Sequence, residues 1–197
     1  KDVAAEFING RPNDNIGITL FAGETFTQCP LTVDHAVLLD MIHNIKCGLI
    51  TDGTAVGMGI ANAVTRLKDS KAKSKVIILL TDGTNNKGDI SPMTAAEIAK
   101  SFGIRVYTIG VGTNGMAPYP YPVGNTVQYV SMPVEIDEKT LTEIAGTTDG
   151  NYFRATSNSK LKEVYEEIDK LEKTKLNVKE YSKRDEEYHW FALAAFL

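Results

Sequence analysis

Two patterns of apolar residues take turns along this chain. The first is the unbroken run. VIILLT at 76–81 and IRVYTIGV at 104–111 place apolar side chains on successive positions, as strands buried on both faces do, and NIGITLFA at 15–22 reads the same way up to Gly23. YFRA at 152–155 adds a short strand, while FTQCPLT at 26–32 alternates and contains Pro30, which marks an edge strand. The second pattern is the one-sided helix. Val37, Leu38, Met41, Ile42 and Ile45 share a face of a helix that Asp34 can cap, and Leu161, Val164, Tyr165, Ile168 and Leu171 share a face over 159–173. A helix is also expected over 54–67. Another starts at Ser91-Pro92, with serine as N-cap and proline in the first turn, and runs to Phe102 before Gly103. Asp137 caps one that ends near Gly146, and the chain opens in mid-helix with DVAAEFI, whose Val3, Phe7 and Ile8 share a face.

Strands and helices therefore alternate throughout. That order predicts an α/β fold: a Rossmann-like, doubly wound, mostly parallel sheet with helices on both faces and one antiparallel edge strand at 26–32. The segment 116–135 breaks the rhythm. Its prolines, Pro118, Pro120, Pro122 and Pro133, predict a loop leading into a small hairpin.

Composition narrows the picture. A chain of 197 residues with 43% hydrophobic and 23% charged residues suits a single core. Its net charge, 21 minus 25 or -4, comes with no basic stripe and argues against a nucleic-acid partner. Cys29 and Cys47 are too few for a disulfide framework and read as free thiols used as small apolar fillers, although an oxidising compartment would permit one bridge. The chain ends on HWFALAAFL after the charged KEYSKRDEEYH. A bilayer span needs about 20 residues, so this end reads as the first turns of a transmembrane helix that continues beyond Leu197. The expected organisation is an α/β domain over 1–174, a charged connector over 175–188 and the start of the membrane helix over 189–197.

Candidate chemistry gathers at one strand end. Ligands of open parallel sheets bind where the strands finish, and Asp82 follows the run VIILLT directly, where a buried carboxylate would need a partner. Thr54 lies in DGTAVG, where Gly53 and Gly57 let backbone approach closely. A hydroxyl and a carboxylate at a strand end suit a hard cation such as magnesium. A helix cap and a turn aspartate, both common, account for the same two residues, and spacing alone favours them.

The order and spacing of several stretches resemble the von Willebrand factor type A (VWA) domain, and within it the BatA/BatB-like subgroup of bacterial aerotolerance (Bat) proteins. The matching stretches are EFINGRPNDNIGITLFAG, CPLTVD, DGTAVGMGIANAVTRLK, SKVIILLTDGTNNKGDISPMTAAEIAKSFGIRVYTIGVGT, LTEIAGTTDGNYFRAT and LKEVYEEIDKLEK. The resemblance implies a Mg²⁺ or Mn²⁺ ion at a metal-ion-dependent adhesion site (MIDAS). The family motif is Asp-x-Ser-x-Ser on the first strand, then a threonine, then the aspartate of a T-D-G turn. Thr54 and Asp82 match the last two elements, and no D-x-S-x-S occurs in the chain. By resemblance, then, the first, central strand of the sheet is missing, and the strands at Ile16 and Val76 flank its place, standing apart over an apolar slot or pairing non-natively. The resemblance further implies a bacterial membrane-anchored binding module rather than an enzyme. Its partner would offer an Asp or Glu carboxylate to the ion, in company with other Bat proteins and a MoxR-type AAA+ ATPase, in stress tolerance or envelope complex assembly.

Other motifs lead elsewhere. Gly110, Gly112 and Gly115 outline a dinucleotide fingerprint, but MAPYPYP cannot open the helix that such a site requires. His35 and His43 read as surface histidines beside packed thiols, since His43 and Cys47 form no tight ligand cluster. The rival function is a metal-dependent hydrolase on the same sheet, with Asp52 or Asp89 as general base.

Overall fold

The computed structural model describes residues 1–182 except 47, 49, 113, 114, 124, 125 and 135. Helix α1 (Asp2–Asn9) precedes β1 (Ile16–Phe21) and β2 (Thr25–Thr32), and α2 (His35–His43) and α3 (Val56–Leu67) follow. Next come β3 (Lys75–Thr81), α4 (Pro92–Ser101), β4 (Ile104–Val111) and a hairpin of β5 (Gly115–Val123) and β6 (Thr126–Val134). The order closes with α5 (Glu138–Thr147), β7 (Tyr152–Ala155) and α6 (Asn158–Ser182).

The caps read from the sequence hold in three helices. Asp34 accepts from the Val37 amide, Ser91 from Thr94 with Pro92 in the first turn, and Asp137 from Thr140. The Thr140 hydroxyl and amide together hold the Asp137 carboxyl below its usual range.

β3, β4 and β7 form a parallel sheet in the order β3-β4-β7, and β1 pairs with β2 in a separate antiparallel sheet. The parallel sheet has helices on both faces. On one face, Ile77, Leu79, Ile104 and Val106 bury against Val56, Ile60 and Val64 of α3, the alanines of α4, and Leu141 and Ile144 of α5. On the other, Tyr107 and Ile109 pack on Val164 and Ile168 of α6. A third cluster joins Ile8, Cys29, Leu38 and Ile42 over the β1–β2 pair.

Two expectations need correcting. β4 is buried on both faces, under α4 and α5 on one side and α6 on the other, but β3 is not. Ile77, Leu79 and Thr81 are buried while Val76, Ile78 and Leu80 are only half-buried, since β3 is an edge of the described parallel sheet. The proline-rich segment forms the expected hairpin, but its ladder, from Gly115↔Val134 to Val123↔Thr126, also takes up the stretch expected to be a loop. Pro118, Pro120 and Pro122 occupy every second position of β5, so they share one edge, where no ladder N–H is required.

β7 reaches β4 only from Thr108 onward, which leaves Val106 short of a strand partner on that side. The buried Thr148 hydroxyl supplies one, accepting from the Val106 amide at 3.0 Å and lying 3.1 Å from the Ile144 carbonyl. Thr148→Val keeps the shape and strands that amide, so chemical denaturation should show a loss of about 1–3 kcal/mol.

Among the described residues no helix is long and apolar enough to cross a membrane. The expected membrane segment at 189–197 lies outside the described residues.

Candidate functional site

The site is a stack of three loops at the C-terminal ends of the strands. β3 finishes at the buried Thr81, opposite Gly110 of β4, and the T-D-G turn follows at once. The turn is shaped locally: the Gly83 amide donates to the Thr81 hydroxyl at 3.3 Å. Asp82 is exposed, contrary to the expectation of a buried strand-end carboxylate. Burial stops at Thr81, so the charge stands in water and needs no partner within the chain.

The middle layer is the loop entering α3. On one side it is tied to the β1–β2 turn, with Gly23 N donating to the Thr51 carbonyl and Ala55 N to the Ala22 carbonyl, both at 2.7 Å. On the other it is tied to the segment after Asp82. The Asn86 amide donates to the Thr54 carbonyl at 3.0 Å, and Asn86 Oδ1 accepts from Thr54 N at 2.9 Å. Asn85 Oδ1 accepts from Val56 N at 2.9 Å. These bonds bring the two sequence candidates together: a Cβ added at Gly83, the neighbour of Asp82, would lie 3.1 Å from Thr54 Oγ1.

Two glycines make this stacking possible. Gly53 has φ +141°, a conformation that favours glycine, and the Lys87 stem packs where its side chain would be. A Cβ at Gly57 would stand 2.0 Å from the Ile90 carbonyl. Gly57→Ala should therefore push the 82–91 segment off α3, costing about 1–3 kcal/mol in denaturation and freeing the amides of Thr54 and Val56 to exchange.

A hydroxyl and a carboxylate suit a hard divalent cation in kind, but they fill only part of a shell of six oxygens. Among the described residues no three His, Cys, Asp or Glu side chains gather into a metal cluster. Asp52 and Asp89 are both exposed, and nothing in their placement singles out either as a general base. His35 and His43 turn ring nitrogens to the Asp14 and Leu39 carbonyls, at 2.9 and 2.7 Å, as surface residues do. Cys29 is a buried free thiol, and Cys47 lies outside the described residues. Burial, helped by the Asp34 charge, pushes the Cys29 thiol up. Gly115 opens a strand, which disposes of the dinucleotide fingerprint.

Sequence reading missed Asn85 and Asn86. After T-D-G-T they look like turn residues, and their targets lie 29 and 32 positions away. One signal was available. Ala55, at the N-cap of α3, has no side-chain oxygen, so that helix had to find its cap elsewhere.

The model of the von Willebrand factor type A domain matches residues 1–167. An uncharacterized protein of Borreliella burgdorferi is 26% identical over 197 residues, covering 100% of this chain and 58% of its own length. A UPF0353 protein of Nocardia farcinica is 30% identical over 182 residues, covering 83% of this chain and 53% of its own. The chain thus spans about half the length of the curated relatives it matches. Among solved structures, BatB from Bacteroides thetaiotaomicron superposes with a TM-score of 0.74 at 32% identity, covering 87% of this chain and 86% of that one. An aerotolerance-related membrane protein from Bacteroides fragilis follows at 0.73 and 28%, covering 86% and 84%. Proximal thread matrix protein 1 from the mussel byssus, a structure with a zinc-occupied MIDAS motif, reaches 0.62 at 24% over 86% of this chain and 40% of that one, a likeness of fold alone.

Proposed function

Because this chain belongs to the von Willebrand factor type A family, we propose that it is the metal-dependent protein-binding module of a membrane-anchored Bat-type protein. One observation carries the reading: the Thr54 hydroxyl lies beside the T-D-G turn that bears Asp82, held there by bonds between their loops. Thr54 and Asp82 are the ligands this chain gives to a Mg²⁺ or Mn²⁺ ion. The Asp-x-Ser-x-Ser ligands come from a further strand of the longer protein. The separation of β1 and β3 into different sheets, with α3 packed against both, supports that placement.

A bound divalent ion would supply an open position for one carboxylate oxygen. The residues of this chain supply the rest. Asp82 offsets part of the ion's charge, Thr54 adds a neutral oxygen, and exposure of the turn leaves room for a protein partner to approach. The partner presents an Asp or Glu, and the interaction is ligation without turnover. Likeness to BatB and to an aerotolerance-related membrane protein supports partners among other Bat proteins, a MoxR-type AAA+ ATPase working with them, and a place at the bacterial membrane in stress tolerance or envelope assembly. The apolar end at 189–197 supports the anchor.

The test is isolation of the tagged longer protein from membranes in magnesium or in a chelator, with mass spectrometry of what accompanies it. Partners retained in magnesium and lost in the chelator bear the reading out. A partner set indifferent to metal, or hydrolysis of phosphate esters by the purified protein, would overturn it. Thr54→Ala should weaken magnesium uptake by about tenfold, the effect of losing one neutral ligand rather than the charged one.

A further inference from the structure

We infer that Asn85 and Asn86 are positioning residues that lock the Asp82 turn onto the Thr54 loop, so that metal affinity depends on two side chains that never touch the ion. The inference rests on the assignment of Thr54 and Asp82 as ligands. Three bonds make the lock, and they reach backbone on both sides of the Thr54 side chain. Asn86 both gives and takes: its main-chain N–H goes to the Thr54 carbonyl and its side-chain oxygen accepts the Thr54 N–H, closing a ring at one residue. Asn85 takes the Val56 N–H, the first in α3, where Ala55 cannot cap. Thr54 is thereby held at its own N–H and carbonyl and at the N–H two residues on. Its remaining freedom is little more than the side-chain torsion.

The geometry has a consequence for binding. Thr54 and Asp82 come from loops 28 residues apart in sequence, and no described bond joins their side chains. Without the lock, each binding event would have to order one loop against the other, and that ordering would subtract from affinity. With it, the hydroxyl waits beside the turn before any ion arrives. Gly53, pressed between Gly23 and the Lys87 stem, backs the same loop from behind.

The test has two arms. In the metal-free 197-residue chain, hydrogen exchange should speed up by about tenfold or more at the Thr54 amide in Asn86→Ala and at the Val56 amide in Asn85→Ala. Core amides of β4 should keep their protection. In the longer protein, calorimetric titration with Mg²⁺ alone should show affinity about tenfold weaker in Asn86→Ala. Asn86→Asp and Asn85→Asp keep an acceptor oxygen of the same reach, and they should restore both the protection and the affinity. A merely structural role would move the melting temperature of the alanine variants without this rescue of affinity. Unchanged exchange at Thr54 and Val56 would overturn the lock itself. Faster exchange with unchanged magnesium affinity would overturn its positioning role. Failure of the wild-type longer protein to bind magnesium, with the exchange changes present, would overturn the ligand assignment and the positioning role together while leaving the lock standing.

Discussion

Glu172→Ala is expected to cost about 3–5 kcal/mol of folding stability, the usual consequence of removing one partner from a buried ion pair. For a domain of this size that lowers the thermal midpoint by roughly 10 °C. Glu172 lies on α6 at the opposite end of the sheet from the candidate site. Its buried carboxylate accepts from Arg105 Nη1, from Tyr107 Oη at 2.6 Å and from Ser74 Oγ at 2.8 Å. Arg105 and Tyr107 project from the same face of β4, and Ser74 stands just before β3, so one side chain ties α6 to two strands. Without it, the half-buried guanidinium loses its carboxylate and the buried phenol loses its bond to Glu172.

The same cluster sets a pH dependence. Burial alone would raise the Glu172 carboxyl, but the hydrogen bonds from Arg105, Tyr107 and Ser74, with the Arg105 charge, outweigh it and hold the group below its ordinary value. Burial, and then the bond to Glu172, raises Tyr107 well above the usual phenol range. A carboxyl whose folded value is lowered contributes stability that is complete above its unfolded value and is lost as pH falls through the folded one. Wild-type stability should therefore fall in acid. Glu172→Gln should lose less than alanine at neutral pH and show a shallower acid slope. Urea midpoints measured from neutral pH into the acid range check both expectations.

The second large effect is on binding. In the longer protein, Asp82→Ala should abolish divalent-dependent partner binding, because it removes the one charged ligand proposed for this chain. Stability should hardly change. Asp82 is exposed and follows the last buried residue of β3, so its removal leaves no cavity. Pull-down in magnesium, with thermal melting alongside, separates loss of binding from loss of fold.

Much of the fold was legible because local and global signals agree. Asp34, Ser91 and Asp137 announce helices that start where they cap, and the unbroken run at 104–111 is the strand buried on both sides. The run at 76–81 has the same composition, yet one of its faces is only half-buried. Apolar residues report a strand's affinity for burial, not whether a neighbouring strand is there to provide it. The hairpin in the proline-rich segment was legible but its full length was not, for a different reason: proline discourages strands in general, but three prolines on alternate positions cost no ladder bonds when all of them face one edge. At the site, Thr54 and Asp82 were legible by type and by their places at a strand end and a helix entrance. Asn85 and Asn86 were not, because a side chain that caps a backbone about 30 residues away leaves no spacing to read.

The most direct test of the central claim is calorimetric titration with magnesium of the 197-residue chain and of a longer protein with the proposed Asp-x-Ser-x-Ser strand, the latter also carrying Asp82→Ala or Thr54→Ala. Uptake is expected in the longer protein, weakened by Thr54→Ala, abolished by Asp82→Ala, and scarcely detectable in the 197-residue chain. Equally tight uptake by the 197-residue chain and by the longer protein, unchanged by Asp82→Ala, would contradict it and place the metal elsewhere.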